Sequence, residues 1–181
     1  MKTLRFLTPI ILLFLGFSAC APINGLFATP TPTYEPCAYM WATYTDETGT
    51  ALLQSLLTEQ SLPFVAERTR VSDFGEDCVT ASGVNKGFGA METDFSVMRE
   101  ITAKTTDAEI GEYAIAVINV VAANFEKGKN INGANRGYVE FILLTPDGQE
   151  QYHRVQVDEA IRVIDPGVTP EDFHKQYFAA P

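Results

Sequence analysis

Asp73, Glu76 and Asp77 crowd one short stretch, and Glu92 and Asp94 follow on the segment that reads as its neighbouring strand. Carboxylates at that density can do two kinds of chemistry. Hard cations such as calcium take six to eight oxygens from such groups, and a pair of them can supply the acid and base of a hydrolase. No cofactor is expected; calcium is the one the pattern would admit, with Asp73, Glu76, Asp77, Glu92 and Asp94 as its candidate ligands. The spacing matches no calcium loop, however, and nothing in the sequence raises one carboxylate pKa above another. A solvated acidic edge that discourages sheet-to-sheet pairing accounts for the same residues.

Other reactive side chains lack the company that catalysis requires. His153 and His174 stand in no serine or cysteine nucleophile context, and no G-x-S-x-G is present. We therefore expect ordinary boundary histidines and no catalytic residue. The loop from Glu126 to Gly137 gathers Lys127, Lys129 and Arg136 on an acidic protein, which makes those three candidates for contact with an acidic partner. It is not a phosphate loop, because no Gly-Lys-Ser/Thr closes it, and a solvated connector is the simpler explanation. Trp41 with Tyr39, Met40 and Tyr44 forms an aromatic cluster that could anchor a partner, but packing on the core beside Cys37 explains it more simply.

The amino terminus says where this chemistry is placed. Lys2 and Arg5 precede an apolar run from Phe6 to Phe17, too short for a spanning helix, which needs about 20 apolar residues. Ser18 and Ala19 then lead into Cys20. Residues 1–20 resemble the type II signal peptides of bacterial lipoproteins, which end in an acylated cysteine preceded by two small residues. Phe17 replaces the usual leucine. The resemblance implies lipidation of Cys20, membrane attachment and a position in the cell envelope outside the cytoplasm. Ordinary secretory cleavage after Ala21 also fits an A-x-A rule, but it leaves Pro22 directly after the scissile bond. Residues 21–36 hold Pro22, Pro30, Pro32 and Pro36, a composition that favours polyproline II. Fifteen such residues reach roughly 45 Å as a semi-rigid tether.

Residues 37–181 are then one domain of ordinary size. Losing Lys2 and Arg5 with the leader takes the formal charge from −10 to −12. That balance argues against nucleic acid, whose phosphates require clustered Lys and Arg. With Cys20 acylated, Cys37 and Cys78 remain as a disulfide pair in an oxidising compartment, the alternative being two separate buried thiols.

The elements that must position these residues are read from periodicity. Asp46 or Thr50 caps a helix with Leu52, Leu53, Leu56 and Leu57 on one stripe. Residues 64–79 loosen into an extended segment, and Met91, Thr93, Phe95 and Val97 alternate as a clearer strand. Thr106 and Glu109 form a capping box ahead of a helix bearing Ile110, Tyr113, Val117 and Val121, with Lys127-Gly128 as its stop. Tyr138–Leu144 and Gln151–Val157 are strands joined through Thr145-Pro146-Asp147-Gly148. Residues 159–164 fit a short strand or a helical turn, and Thr169-Pro170 opens a final helix. The predicted fold is an α+β two-layer sandwich of about four antiparallel strands with two main helices on one face, in the order α-β-β-α-β-β-α.

This reading predicts a lipid-anchored envelope protein with a non-catalytic binding or interaction domain for an unknown envelope protein or small ligand. The alternatives are an extracytoplasmic carboxylate-dependent or cation-assisted hydrolase and an envelope assembly factor. A deep polar-rimmed pocket would favour a small ligand, and an exposed apolar patch on the sheet would favour a protein partner.

Overall fold

A computed structural model describes residues 35–179. The leader, Cys20 and the spacer up to residue 34 lie outside the described residues. Five strands, β1 (Cys37–Asp46), β2 (Arg70–Thr80), β3 (Asn85–Glu100), β4 (Asn135–Leu144) and β5 (Glu150–Gln156), form one sheet in chain order. Helices α1 (Glu47–Glu59), α2 (Asp107–Asn124), α3 (Val157–Ile164) and α4 (Pro170–Tyr177) complete the α+β domain.

The strand count and pairing correct the expected four antiparallel strands. β1 is an added strand, placed where sequence reading puts only an aromatic cluster. β3 and β4 pair in parallel, while the other three pairs are antiparallel. The physical reason is the connection between them. A tight turn reverses direction, whereas the 18-residue α2 carries the chain back across the sheet so that β4 starts from the same end as β3. The element order also departs from the expected α-β-β-α-β-β-α, because β1 stands ahead of α1 and two helices, α3 and α4, follow β5.

Local chemistry explains where each helix begins. Asp46 caps α1 by accepting the Gly49 N–H at 2.9 Å. Thr50, the rival cap, instead accepts the Val71 N–H at 2.8 Å and pins the first turn of β2. The capping box of α2 is complete: Glu109 accepts the Thr106 N–H at 2.7 Å and Thr106 accepts the Glu109 N–H at 3.2 Å. This helix stops at Asn124, short of the predicted Lys127-Gly128, because Phe125 turns inward and meets Phe95 edge-on at 4.9 Å. Gln156 caps α3 and Thr169 caps α4 with Pro170 at its first position.

All four helices contribute to one apolar cluster on a single face of the sheet. Leu53 and Leu57 of α1, Val117 and Val121 of α2, Ala160 of α3 and Phe173 of α4 are fully buried there. They meet Val71, Phe95, Val97, Val139, Phe141 and Val155 from alternate strand positions. Each such Leu, Val or Phe contributes about 1.5–3 kcal/mol of burial. Among the described residues the opposite face of the sheet carries no helix.

Candidate functional site

Strand alternation decides what stands on the uncovered face. Because Val71, Phe95, Val139 and Val155 point into the core, their neighbours Arg70, Ser72, Asp94, Ser96, Tyr138, Glu140 and Arg154 point away from it. The register sets Arg70, Ser96, Glu140 and Arg154 in one cross-strand row. Arg70, Ser72, Asp94, Tyr138, Glu140 and Arg154 surround an open cleft of about 140 Å³. Pockets that enclose a small molecule measure roughly 300–1,000 Å³, so this is a surface depression and not a ligand cavity.

Asp94 organises the cleft. Its carboxylate accepts the Tyr138 backbone N–H at 2.8 Å and stands 3.5 Å from the Arg154 guanidinium. Gly137 makes this approach possible, since a Cβ there would collide with the Asp94 carboxylate. Arg154 also lies 4.4 Å from the centre of the Tyr138 ring, a cation–π contact. Ser96 donates to Glu140 at 3.1 Å. Burial holds Asp94 above the ordinary carboxylate range, with the Tyr138 N–H and Arg154 pulling the other way. Glu92 is raised too, first by burial and then by the neighbouring Asp94 charge. Like charges are thus crowded on this face.

At one end of the same face the register pairs Trp41 with Glu76, and Phe74 with Glu92. Trp41 stacks on Phe74 with centroids 5.2 Å apart and planes 6° from parallel. Aromatic rings and carboxylates therefore alternate across three strands. At the other end Arg68 donates a two-pronged pair of bonds to Glu150, at 2.9 and 3.0 Å. This bridge spans β3 and β4, where Met98 and Ile142 are buried on the uncovered side.

The five predicted acidic residues do not converge. Glu76, Glu92 and Asp94 share the uncovered face, whereas Asp73 and Asp77 point to the helix side. Asp73 is buried and accepts from Thr93 at 2.6 Å and from Asn132 at 2.7 Å. Asp77 accepts the Tyr44 hydroxyl at 2.7 Å. Among the described residues no three His, Cys, Asp or Glu side chains come together as a metal site. Of the predicted partner-binding cations, Lys127 and Arg136 line one open pocket of about 470 Å³ together with Glu126 and Asp158. Arg136 donates to the Ala122 carbonyl and to Asp158, both at 2.7 Å, and Lys129 pairs with Glu126, which leaves Lys127 exposed beside them. His153 and His174 both pack on Phe178, with centroids 4.8 and 5.6 Å apart.

Cys37 and Cys78 are a disulfide pair, with Cα atoms 5.1 Å apart. They tie the start of β1 to β2 at the end of the sheet where exposed apolar side chains concentrate. Tyr39 is 65% exposed, Trp41 64%, Met40 57% and Tyr44 46%. The aromatic cluster is therefore not packed on the core. No helix among the described residues is long and apolar enough to cross a membrane. The chain matches no family model, no curated protein and no solved structure.

Sequence reading singled out Asp94 and Glu92 only as candidate cation ligands and passed over Arg70, Ser96, Tyr138, Glu140 and Arg154. Their signal was the polar phase of each strand. Only the register reveals that these phases meet on one face.

Proposed function

We propose that this is a lipid-anchored envelope protein, facing outside the cytoplasm, whose domain binds another protein through the uncovered face and free edge of its sheet. The observation that carries the binding reading is the concentration of Tyr39, Met40, Trp41 and Tyr44, all exposed, on one edge strand. Exposed apolar groups gathered in this way and rimmed by polar residues mark interaction surfaces. The cleft beside them, about 140 Å³ and open, is too small to enclose a ligand of its own. The lipoprotein-like segment, the proline-rich tether and the paired cysteines support the anchored, extracytoplasmic setting. An envelope assembly factor would use the same surface.

Two measurements test this reading. Cys20→Ser should move the protein from the detergent phase to the aqueous phase on phase partitioning; unchanged partitioning refutes the anchor. A photocrosslinker at Thr43, on the exposed strand, should capture a defined neighbour in native membranes, while one at Ala123 on α2 should not. Equal yields at both positions refute the binding surface. The hydrolase reading draws on Glu92 and Asp94, both held above the ordinary carboxylate range; Asp94→Asn would then abolish turnover of an envelope substrate and leave the Thr43 crosslinks unchanged.

A further inference from the structure

We infer that β1 is a docking edge onto which an extended, basic-flanked segment of another polypeptide adds as a sixth strand. The inference rests on the interaction reading above and specifies its partner. β1 ends the sheet, so among the described residues the hydrogen-bonding groups along its outer side have no strand partner. Its ten residues pair with β2 without a register shift, whereas β2–β3 and β3–β4 are both irregular. The outer side is accordingly a regular template about 33 Å long.

Sheet edges are normally defended by charge, proline, bulges or shortness. Residues 37–45 contain no charged residue, no proline and no glycine. The opposite edge, β5, is only seven residues long and carries Glu150 and Arg154. The undefended edge is also held rigid. The Cys37–Cys78 disulfide, the Trp41–Phe74 stack, the Tyr44–Asp77 hydrogen bond and the Tyr44–Phe88 contact at 4.8 Å fasten β1 to the strands behind it. A template already held in the bound shape spares the ordering cost of docking. Strand addition then takes affinity from backbone bonds and specificity from alternate side chains. Here those side chains meet Tyr39 and Trp41 on one face and Met40 and Tyr44 on the other.

Charge selects the kind of strand. Asp46 and Glu47 follow the uncharged stretch of β1, and Glu76 and Glu92 stand behind Trp41 and Phe74. A second copy adding through its own β1 would bring no Lys or Arg within or beside that strand, only the same acids. A segment with Lys or Arg at its flanks meets the same acids favourably.

Trp41 is the only tryptophan of the chain, so its fluorescence reads the edge directly. The test titrates full-length protein in detergent with a synthetic peptide of alternating threonine and valine, with paired lysines at both ends. Saturable change in Trp41 emission is expected. Methyl groups on the central backbone nitrogens of the peptide should weaken binding about tenfold or more, because they remove the strand's donors. Glutamates in place of the lysines should weaken it about tenfold at low salt, with the two peptides converging at high salt. Thr43→Lys, with circular dichroism to verify its fold, should weaken the lysine peptide similarly. Equal binding of the methylated peptide, or no saturable response to the lysine peptide, overturns strand addition. Concentration-dependent Trp41 emission with a dimer in sedimentation overturns it in favour of a second copy. The Thr43 crosslinking contrast decides the broader interaction reading separately.

Discussion

Replacing Asp73 tests whether this carboxylate serves the fold or a ligand. Its side chain is buried, 5% exposed, and accepts from the Thr93 hydroxyl and the Asn132 amide. Thr93 in turn accepts the Gly133 N–H at 3.1 Å, and the Ala134 N–H donates to the Met91 carbonyl at 2.9 Å. One buried carboxylate thereby moors the loop that enters β4, and β4 brings the Tyr138 N–H to Asp94. Hydrogen bonds to a charged group contribute about 1.5–3 kcal/mol each. Asn132 is exposed and its amide can turn to water, so Asp73→Ala should cost roughly 3–4 kcal/mol, toward the low end of two such bonds. For a domain of this size that lowers Tm by roughly 10 °C. Asp73→Asn keeps an acceptor for Thr93 but turns a donor toward Asn132, and should cost about half as much. Thermal unfolding measures the loss, and hydrogen exchange locates it at Gly133 and Ala134. A Tm within about 2 °C of wild type, with Gly133 exchange unchanged, refutes the mooring role.

Acidification should act on two sites with opposite sign. Glu92, raised by burial and by Asp94, binds its proton more readily folded than unfolded, so its contribution to stability improves as pH falls through its raised pKa. Glu92→Gln should therefore stabilise the domain at pH 7, with the advantage disappearing in acid. His153 is lowered by burial and then by His174; the unfolded chain takes up that proton first, so stability falls as pH drops below about 6.5. His153→Phe should remove that step, and pH-dependent melting curves that do not separate the two variants contradict both assignments. Joint substitution of Cys37 and Cys78 by serine, across a separation of 41 residues, should cost about 4 kcal/mol in the chain-entropy account. Exchange protection should vanish first from residues 37–41, and uniform loss across the sheet would contradict a local role.

The sequence was most legible where one face of an element is buried and the other wet. α2, with its capping box and apolar stripe, and the Phe95–Val97 alternation in β3 are of this kind. β1 left no such signal. Tyr39, Met40, Trp41 and Tyr44 are exposed on both its faces, so apolar and polar residues do not alternate. The parallel β3–β4 pair was hidden for another reason. Periodicity identifies strands but not neighbours, and the long α2 connection was the available clue. The acidic cluster misled because Asp73 and Asp77 differ in strand phase from Glu76, and Glu92 and Asp94 lie beyond a register shift between Phe74 and Gly75. Arg70, Glu140 and Arg154 lie 84 residues apart from first to last, and only the assembled sheet joins them.

Position in the fold also explains why a disulfide stands where it does. The helix layer covers β2 to β5 and the Asp46 end of β1, but the opposite half of β1 exposes its largest side chains and gains little burial energy. A strand held only by one ladder of backbone bonds at a sheet edge frays readily. Cys37–Cys78 sits at that end and replaces the missing core with a covalent tie. On the proposed reading, the bond would couple the extracytoplasmic compartment to binding. In a reducing environment the first half of β1 would open, and the docking edge with its aromatic side chains would be lost while the α2-centred core stayed folded. Export through the lipoprotein-like leader and formation of the binding surface would then be two consequences of one step. Reduction of the intact protein should accordingly abolish peptide-dependent Trp41 emission before it lowers helical circular dichroism, and simultaneous loss of both signals would contradict the coupling.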